Sequence, residues 1–527
     1  MSSRALRTDG GAPAGVFPVA TALQGGRGSR VVPVCEATAW GGLRVVVIGL
    51  DLGTSGVKAV ALDDSGVIRA QATAPLAVSR PQPLWSEQDP QDWIAATEAA
   101  ICALPEPLRR RTRGIGLSGQ MHGATLLDDE GKALRPAILW NDGRSGRECR
   151  ALEAAAPDLV AITGNRAMPG FTAPKLAWVR AHEPEVFTAT RRVLLPKDYV
   201  RLWLTGEAVS DMSDSAGTLW LDVGRRDWSD ALLAATGLTR DHMPRLVEGS
   251  AVSGVLRRPV AEALGLPQVP VAGGAGDNAA SAVGVGALAP GQAFVSVGTS
   301  GVIFIADDAF RPDPGRGVHT FCHALPETWH RMSVTLSAAS AIDSVARLAG
   351  FSSTAEAVSD LGGSRSDDPL FTPWLSGERT PHNDPSASGV FVGLTHATTR
   401  EALLRAALEG VAFALADGFE ALGSPPVEAL TVVGGGARIT GLGPLLAAAL
   451  GRPLVYRDGG ETAAALGAAR LAWMALDGEV AEPLRRRRRE PAGAPGPRRQ
   501  ACAGRRRPQN PRPAGACGRA SGPWPPG

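Results

Sequence analysis

Two stretches of this chain repeat each other at long range. Residues 45–62 read VVVIGLDLGTSGVKAVAL, and residues 293–306 read AFVSVGTSGVIFIA. Each is an apolar run rich in β-branched residues, followed by the pentapeptide GTSGV and a second apolar run. This pattern predicts a β-hairpin, because glycine permits the tight turn between two strands. We therefore expect two homologous halves, each opening its central sheet with a Gly–Thr–Ser turn.

Length and composition narrow the class of protein. The 527 residues are 44% hydrophobic, which excludes disorder throughout and leaves room for two or more domains. No run of about 18 apolar residues occurs, so a polytopic membrane protein is excluded. The six cysteines are scattered and form no CxxC pair, which fits a reducing cytoplasm as the location.

The two ends differ in composition from the body. Residues 1–44 are rich in Gly, Ala and Arg and lack the apolar region of a signal peptide, so we expect a disordered leader or a start codon placed too far upstream. Residues 478–527 are rich in Arg and Pro, with an unbroken arginine run from Arg485 to Arg489. This tail is predicted to be unstructured or translated out of frame. The alternative is an arm that binds nucleic acid or anionic lipid.

The charge of the body argues against nucleic acid as a partner. Residues 481–527 carry 12 arginines against two glutamates, and residues 1–44 carry five arginines against two acids. The whole chain has a net charge of +2, so residues 45–480 are acidic, at −11. Such a body offers no basic surface to a nucleic acid.

The chemistry of the Gly–Thr–Ser turns is suited to phosphate. Glycine lets the backbone approach a ligand closely, and backbone N–H groups and hydroxyls supply donors. Two such turns facing each other would hold a polyphosphate between two domains, although purely structural turns are the alternative. The candidate phosphate ligands are Thr54, Ser55, Gly298 and Thr299.

A third glycine-rich turn is predicted between a strand and a helix. Residues 430–450 read LTVVGGGARITGLGPLLAAAL. A turn of this kind lets a flat nucleoside lie against the backbone, which makes Gly435 and Gly436 candidates for nucleotide binding. A further helix is predicted from Thr462 to Leu476.

Two isolated acids lie close to the phosphate turns in sequence. Asp277 is the one charged residue in VPVAGGAGDNAASAVGVGAL, residues 269–288. It either caps a helix or acts as a general base toward a substrate hydroxyl, and its place before the second turn favours the base. Asp51 lies in an otherwise apolar strand, where an ionised carboxylate must be paired or bind a cation. Mg²⁺ bound to nucleotide phosphates is favoured over an aspartate bonded to the turn's own amides.

Polar and aromatic loops indicate a sugar as the second substrate. Residues 114–131 read GIGLSGQMHGATLLDDEG, in which His122 follows a strand and suits a hydroxyl group. Tryptophan faces stack on sugar C–H surfaces, and neighbouring amides and acids bind hydroxyls. Trp85, Asn141 and Asp142 are therefore candidate sugar ligands. Each of these residues could instead serve loop packing or helix capping.

These motifs resemble the FGGY carbohydrate kinases. The similarity runs from about Val45 to about Trp473 and includes IGLDLGTSGVKAV, GQMHGATLLD, GDNAASAVGVG, SVGTSGV, PWLSGERTPHNDP and GGGAR. It implies an α/β fold with two actin/hexokinase-like (ribonuclease H-like) domains around a central cleft. Residues 45–286 would form the sugar and phosphate side, and residues 287–477 the nucleotide side. The Gln–Met–His–Gly and Gly–Asp–Asn–Ala–Ala elements resemble the branch that converts D-xylulose and ATP to D-xylulose 5-phosphate in xylose catabolism.

The resemblance also implies roles for individual residues. Asp277 would accept the proton of the sugar's O5 hydroxyl, Met121 and His122 would contact the sugar, and Asp51 would support Mg²⁺ indirectly. The two Gly–Thr–Ser turns would line the phosphates, and Gly435 and Gly436 would approach the adenosine of ATP. The family suggests a homodimer.

Three further expectations follow from the resemblance. Family members continue beyond residue 475 with more helices, so the Arg/Pro tail is expected to be a defective or frameshifted ending. One alternative function is an FGGY kinase for another ketose or polyol. The other is a non-enzymatic actin-like ATPase.

Overall fold

A computed structural model describes residues 30–33, 45–359, 361–363, 365–457 and 460–477. The predictions for the rest of residues 1–44 and for residues 478–527 lie outside the described residues. Within the described ranges, no helix combines the length and the apolar character that crossing a bilayer requires.

Groups of strands and groups of helices are mixed along the chain, as in an α/β fold. The strands are β1 Arg30–Pro33, β2 Val46–Leu52, β3 Gly56–Asp63, β4 Ile68–Pro75, β5 Glu87–Gln88, β6 Thr112–Gly119, β7 Thr125–Leu127, β8 Ala137–Ile138, β9 Arg192–Leu194, β10 Val209–Asp211, β11 Leu221–Asp222, β12 Asp227–Trp228, β13 Arg245–Val247, β14 Val252–Val255, β15 Pro270–Ala272, β16 Ala275–Gly276, β17 Ala293–Val297, β18 Gly301–Asp307, β19 His319–Cys322, β20 Trp329–Thr335, β21 Leu370–Thr372, β22 Val390–Val392, β23 Leu430–Val433 and β24 Leu454–Tyr456. The helices are α1 Pro90–Cys102, α2 Glu106–Arg109, α3 Gly146–Ala155, α4 Leu159–Thr163, α5 Thr172–His182, α6 Pro184–Ala189, α7 Pro196–Thr205, α8 Met212–Ser215, α9 Asp230–Thr236, α10 Arg258–Leu264, α11 Asp277–Val285, α12 Ala339–Leu348, α13 Thr354–Ser359, α14 Arg400–Ala421, α15 Leu442–Leu450 and α16 Ala463–Asp477.

The first sheet is built around the first predicted hairpin. Its strand order is β1–β4–β3–β2–β6–β15–β14, and β16 also pairs with β6. Strands β2 and β3 are antiparallel, with Leu52 opposite Val57 at the turn. Strand β6 runs parallel to β2, and β15 runs parallel to β6. The hairpin prediction is therefore confirmed for this half.

The second sheet repeats the same plan. Its order is β19–β20–β18–β17–β23–β24. Strands β17 and β18 form the antiparallel hairpin, β23 is parallel to β17, and β24 is parallel to β23. In each half, two parallel strands thus continue the sheet beyond the first strand of the hairpin. The predicted repeat extends well beyond the shared pentapeptide.

Four residues of the predicted leader differ from the expectation of disorder. Arg30–Pro33 form β1, which pairs antiparallel with the edge strand β4, Arg30 lying opposite Thr73. Two adjacent valines favour the extended conformation, and the edge of a sheet offers unpaired backbone groups to such a segment.

Helix α16 packs mainly against the first sheet, although the second sheet precedes it in the chain. It crosses to the first sheet, where it packs against β2, β6 and helix α11. The crossing depends on small residues, since a Cβ at Gly467 would overlap the carbonyl oxygen of Ala280, and one at Gly284 would overlap that of Ala463. Helix α16 therefore adds to the core around the first sheet, and the division into domains at residue 286 stays a prediction.

Candidate active site

Both predicted acids lie at one end of the first sheet. Asp51 is in β2 opposite Ser118 of β6, and Gly276 of β16 pairs with Gly119 on the other side of β6. Asp277 follows Gly276 directly as the first residue of α11. The carboxyl ends of three neighbouring strands therefore bring the two carboxylates to the same region, as polar groups at strand ends commonly are in open α/β sheets.

Asp277 is poised to exchange a proton near neutral pH. Its Oδ1 accepts hydrogen bonds from Asn278 N at 2.7 Å and Asn278 Nδ2 at 2.9 Å. In the described part of the chain, Oδ2 has no hydrogen-bond partner. Burial and the charge of Asp51 raise the pKa of Asp277 to about 7, against the opposing bonds from Asn278. Asp277 is the first residue of α11 rather than its N-cap, but its Oδ1 accepts from a helix N-terminal amide, so the capping alternative stays open.

Asp51 fits the role of supporting a cation. Its Oδ1 accepts from Ser118 Oγ at 3.0 Å. Burial raises its pKa, although that hydroxyl and the charge of Lys58 work in the other direction. Asp51 thus offers a carboxylate oxygen, the type of ligand that Mg²⁺ prefers. Among the described residues, no three His, Cys, Asp or Glu side chains could hold a metal together, so nucleotide phosphates would supply the remaining ligands.

Met121 lies beside the residue that precedes the base, and His122 follows Met121 in the chain. A Cβ at Gly276 would lie 2.8 Å from Met121 Cγ, so Met121 packs against the residue before Asp277. A Cβ at Gly217 would lie 2.6 Å from ring atoms of His122 and 2.8 Å from Met121 Cε. The structure therefore brings together the three residues expected to meet the sugar.

His122 is fixed in an uncommon backbone conformation. Its φ is +69°, in the left-handed region that few residues with a side chain adopt. Its carbonyl oxygen accepts from Lys175 Nζ at 2.7 Å and from Thr172 Oγ1 at 3.1 Å. Its ring nitrogen Nδ1 lies 2.6 Å from the carbonyl oxygen of Gly217. Tertiary contacts thus hold the strained residue in place.

The first phosphate turn is tied to the sugar loops through Thr54. The Thr54 hydroxyl donates to Gln120 Oε1 at 3.0 Å and accepts from Trp140 Nε1 at 2.9 Å. Gln120 in turn donates to Gln88 Oε1 at 2.9 Å. The Thr54 hydroxyl proton is thus engaged within the protein, and the contact of Thr54 with phosphate stays a prediction. Ser55, which is exposed, remains a candidate donor.

The second phosphate turn is anchored by its carbonyl groups. Ala339 N donates to the carbonyl oxygen of Gly298 at 2.9 Å, and Ala338 N donates to that of Thr299 at 2.9 Å. The start of α12 therefore holds the turn from behind. The Thr299 side chain is exposed, as a phosphate donor has to be.

The surroundings of Gly435 and Gly436 differ in the space they leave for a side chain. A Cβ at Gly435 would meet no atom within 4 Å, whereas one at Gly436 would overlap the side chain of Val297. Open space at Gly435 fits the close approach of a nucleotide. Glycine at position 436 instead lets β17 and the turn pack together, and its approach to the adenosine stays a prediction.

The loop residues predicted to bind sugar divide into two groups. Both oxygens of Asp142 accept from Arg144, and Oδ2 also accepts from Ser86 N at 2.6 Å. Arg144 lies 3.6 Å above the Trp85 ring, covering one face. These contacts hold the loop, and sugar binding by Asp142 and Trp85 stays a prediction. Asn141 remains a candidate, because its Oδ1 is buried and lacks a partner within the described ranges.

Comparison with known proteins agrees with this arrangement. The model of the FGGY family of carbohydrate kinases, N-terminal domain, matches residues 46–284, and that of the C-terminal domain matches residues 293–476. The chain belongs to the FGGY family of carbohydrate kinases. Its two repeated sheets are the two halves of the actin/hexokinase-like fold that these kinases share.

Individual relatives are similar over nearly all of the body. The chain is 54% identical over 438 residues to the xylulose kinase of Escherichia coli (strain K12), which covers 82% of this chain and 90% of the relative. It is 38% identical over 404 residues to the xylulose kinase of Bacillus subtilis (strain 168), covering 74% and 81%. A crystal structure of a "xyloylose kinase" from Brucella ovis is 53% identical with a TM-score of 0.79, covering 83% of this chain and 91% of that one.

A buried charged network in this FGGY kinase escaped the sequence analysis. Lys197 Nζ contacts carboxylate oxygens of Asp198 at 2.6 Å, Asp211 at 2.7 Å and Asp214 at 3.0 Å. Burial alone lowers the pKa of Lys197, but these three carboxylates raise it overall. The network touches the active site through Ser213 Oγ, which accepts from Gly276 N at 3.1 Å. It supports the backbone just before Asp277.

A compositional signal pointed to this network and to Lys175. The chain has 50 arginines but only four lysines. Two of the four, Lys175 and Lys197, are fully buried beside the site. A buried lysine in such an arginine-rich chain indicates a site that suits the compact ammonium group better than a planar guanidinium group.

Proposed function

We propose that this kinase transfers the γ-phosphoryl group of ATP to the O5 hydroxyl of D-xylulose. The observation that carries the proposal is the cluster of Asp277, Met121 and His122. Asp277 is half-buried, has a pKa raised to about 7, and follows Gly276, against which Met121 packs; Met121 and His122 both lie against Gly217. The identity of the sugar is inferred from the relatives named xylulose kinase.

Asp277 acts as the proton acceptor in the proposed mechanism. A general base works best when its pKa lies near the operating pH, and Asp277 meets that condition. Its free Oδ2 takes the proton of the attacking hydroxyl, while Asn278 holds Oδ1 and fixes the carboxylate plane. Alignment and charge neutralisation supply most of the remaining rate enhancement in phosphoryl transfer.

The phosphate turns and Asp51 provide the electrostatic part of the site. Ser55 and Thr299 present exposed hydroxyls, and Gly298 and Gly435 allow close approach of the backbone. When bound, Mg²⁺ would neutralise negative charge on the phosphates, and Asp51 would support it indirectly. Closure of the two halves around the sugar excludes water, which otherwise competes for the phosphoryl group.

A coupled ADP-release assay on the full chain tests the proposal. Turnover with Mg²⁺ and ATP is measured with D-xylulose, D-ribulose, glycerol or no sugar, and phosphorus NMR identifies the position of the product phosphate. We expect strong turnover that depends on D-xylulose and gives the 5-phosphate. Preference for another sugar or polyol would support that alternative instead. Sugar-independent ATP turnover with filament formation would support an actin-like ATPase.

Three other properties stay predictions. They are a cytoplasmic location, assembly as a homodimer, and the lack of a nucleic-acid partner. Size-exclusion chromatography with light scattering tests the second, and a filter-binding assay at physiological salt tests the third.

A further inference from the structure

The backbone just before Asp277 is held by a side chain from α8. Gly276 is the N-cap residue of α11 and directly precedes Asp277. Its N–H donates to Ser213 Oγ at 3.1 Å, and on its other side the residue pairs with Gly119 of β6. Gly276 and Ser213 are both buried, where a backbone N–H needs a partner within the protein. The Ser213 hydroxyl is therefore one of the contacts that fix the start of α11.

The Ser213 hydroxyl is oriented by Asp211. A backbone N–H can only donate, so Ser213 Oγ accepts from Gly276 and is free to give its own proton elsewhere. Asp211 Oδ2 lies 2.5 Å from Ser213 Oγ and receives that proton. The same oxygen accepts from the backbone N–H groups of Ser213 at 2.8 Å and Asp214 at 3.2 Å, so Asp211 also caps α8. A lone pair of Ser213 Oγ is thereby directed toward Gly276.

Lys197 holds Asp211 from the opposite side. Its Nζ lies 2.7 Å from Asp211 Oδ1, and both side chains are almost completely buried. Its stem lies against β6, since a Cβ at Gly119 would be 2.9 Å from Lys197 Cβ. Hydrogen bonds that involve a charged group are stronger than those between neutral groups, so this chain of contacts is rigid. The chain ends at Gly276, one residue before Asp277.

We propose that Ser213 is a positioning residue for the catalytic carboxylate. By holding Gly276 N, it sets the direction in which α11 begins, and therefore where the free Oδ2 of Asp277 lies relative to the attacking hydroxyl. The inference rests on the proposed function and adds a residue that acts through the backbone rather than by contact with a substrate. Proton abstraction depends steeply on geometry. Loss of the Ser213 hydroxyl should therefore lower kcat and leave the KM of each substrate nearly unchanged.

Steady-state kinetics of Ser213→Ala test this split. We expect kcat for D-xylulose to fall about tenfold or more, with the KM values for D-xylulose and ATP within about twofold of wild type. Ser210→Ala is the matched control, because Ser210 is equally buried and its hydroxyl donates to Asp198 Oδ2 at 2.6 Å instead of meeting Gly276. It should keep the wild-type kcat. A normal kcat in Ser213→Ala, or an equal loss of kcat in both variants, would overturn the inference.

Ser213→Cys separates the hydrogen bond from the space that the side chain fills. A thiol occupies the position but is a poor acceptor, so kcat should stay low in this variant as well. If cysteine restored kcat, the role of Ser213 would be to fill space, and the inference would fail. The same variant decides the question if Ser213→Ala does not fold.

Hydrogen–deuterium exchange tests the contact without turnover. The Gly276 amide of the full chain is followed by fragmentation of the peptide that contains it. In Ser213→Ala we expect this amide to exchange about tenfold faster or more, because its hydrogen bond is lost. In Ser210→Ala its exchange should match that of the wild type. Unchanged exchange at Gly276 in Ser213→Ala would show that Ser213 does not order this segment, contrary to the inference.

These measurements separate the inference from the proposed function. If the wild type phosphorylates none of the sugars, the proposed function fails, and exchange at Gly276 still decides whether Ser213 orders the start of α11. If D-xylulose is phosphorylated and kcat does not respond to Ser213→Ala, the proposed function stands and only the inference fails. Thermal midpoints of the variants show whether a loss of kcat reflects unfolding.

Discussion

The charge of Asp51 raises the pKa of Asp277. The two residues lie on either side of β6, and burial raises the pKa of both carboxyls. A nearby like charge disfavours ionisation, so Asp51 adds to the larger effect of burial on Asp277. Burial and this charge together set the pH at which the proposed base becomes active.

Replacing Asp51 should move the pH profile of the enzyme. In Asp51→Asn the negative charge is lost, so the pKa of Asp277 should fall from about 7 by on the order of one unit. The acidic limb of kcat/KM for D-xylulose should therefore shift to lower pH, even though the absolute rate also drops. The measurement is kcat/KM from pH 5 to 9 at constant ionic strength.

Ser118→Ala is the matched control for that shift. It removes the hydroxyl that donates to Asp51 but leaves the charge of Asp51 in place. Its acidic limb should stay close to that of the wild type. An unchanged profile in Asp51→Asn would show that Asp277 is not the group titrating in this limb.

Asp277→Asn should lose activity and gain stability. We expect kcat to fall at least about 100-fold because the proton acceptor is gone, with nucleotide binding retained. The raised pKa means that the folded wild type binds this proton more tightly than the unfolded chain does. Wild-type stability is therefore lost as pH rises from about 4 to about 7. Above pH 7, the variant should be more stable by on the order of 2 kcal/mol.

Calorimetry at two pH values tests whether Asp277→Asn is more stable than the wild type only at high pH. The gain in unfolding temperature of Asp277→Asn should be clear at pH 8 and should nearly vanish at pH 4.5, where the wild-type carboxyl is protonated. Near-normal turnover, or a gain that is the same at both pH values, contradicts the role of Asp277 as a buried, ionisable base.

Gly217→Ala should damage sugar binding selectively. Its Cβ would lie 2.6 Å from His122 and 2.8 Å from Met121 Cε, so both sugar contacts must move. We expect the KM for D-xylulose to rise about tenfold or more, at a cost to stability of about 1–3 kcal/mol, with little change in the KM for ATP. Gly363→Ala, where an added Cβ meets no atom within 4 Å, should behave as wild type. Equal effects on both substrates would point to general unfolding.

Lys175→Met should also weaken sugar binding by releasing His122. Lys175 Nζ donates to the carbonyl oxygens of His122 and Gly170, both at 2.7 Å. Methionine keeps the length of the side chain and removes both donors, so the strained backbone of His122 should relax. We expect a rise in the sugar KM of about tenfold with a smaller change in kcat. The exposed Lys132→Met serves as the control, and a loss confined to kcat would refute the positioning role.

The sequence predicted the features that depend on local pattern. Both hairpins followed from runs of β-branched residues around glycine, whereas a shared site for Asp277, Met121 and His122 was implied by the family resemblance. The crossing of α16 to the first sheet was not predicted, because its small residues indicate a helix without identifying the surface on which it packs.

The hydrogen-bond partners of the site residues could not be predicted from the local sequence either. Thr54 meets Trp140, and Lys175 meets His122, only through long-range folding. Asp142 and Arg144 are close in sequence. Whether Asp142 pairs with Arg144 or with a sugar hydroxyl depends on the burial of the whole loop. Which partner a polar side chain binds, a protein group or a ligand, depends on the three-dimensional structure.

The two glycines of the nucleotide turn should respond in opposite ways to alanine. Gly435→Ala adds a Cβ to open space, so the protein should keep its stability, while the KM for ATP rises several-fold because the methyl group occupies the path of the nucleotide. Gly436→Ala overlaps Val297, so it should lower stability by about 1–3 kcal/mol. Thermal midpoints and the KM for each substrate distinguish the two effects. An unchanged KM for ATP in Gly435→Ala would remove Gly435 from the nucleotide site and leave the second Gly–Thr–Ser turn to hold the phosphates alone.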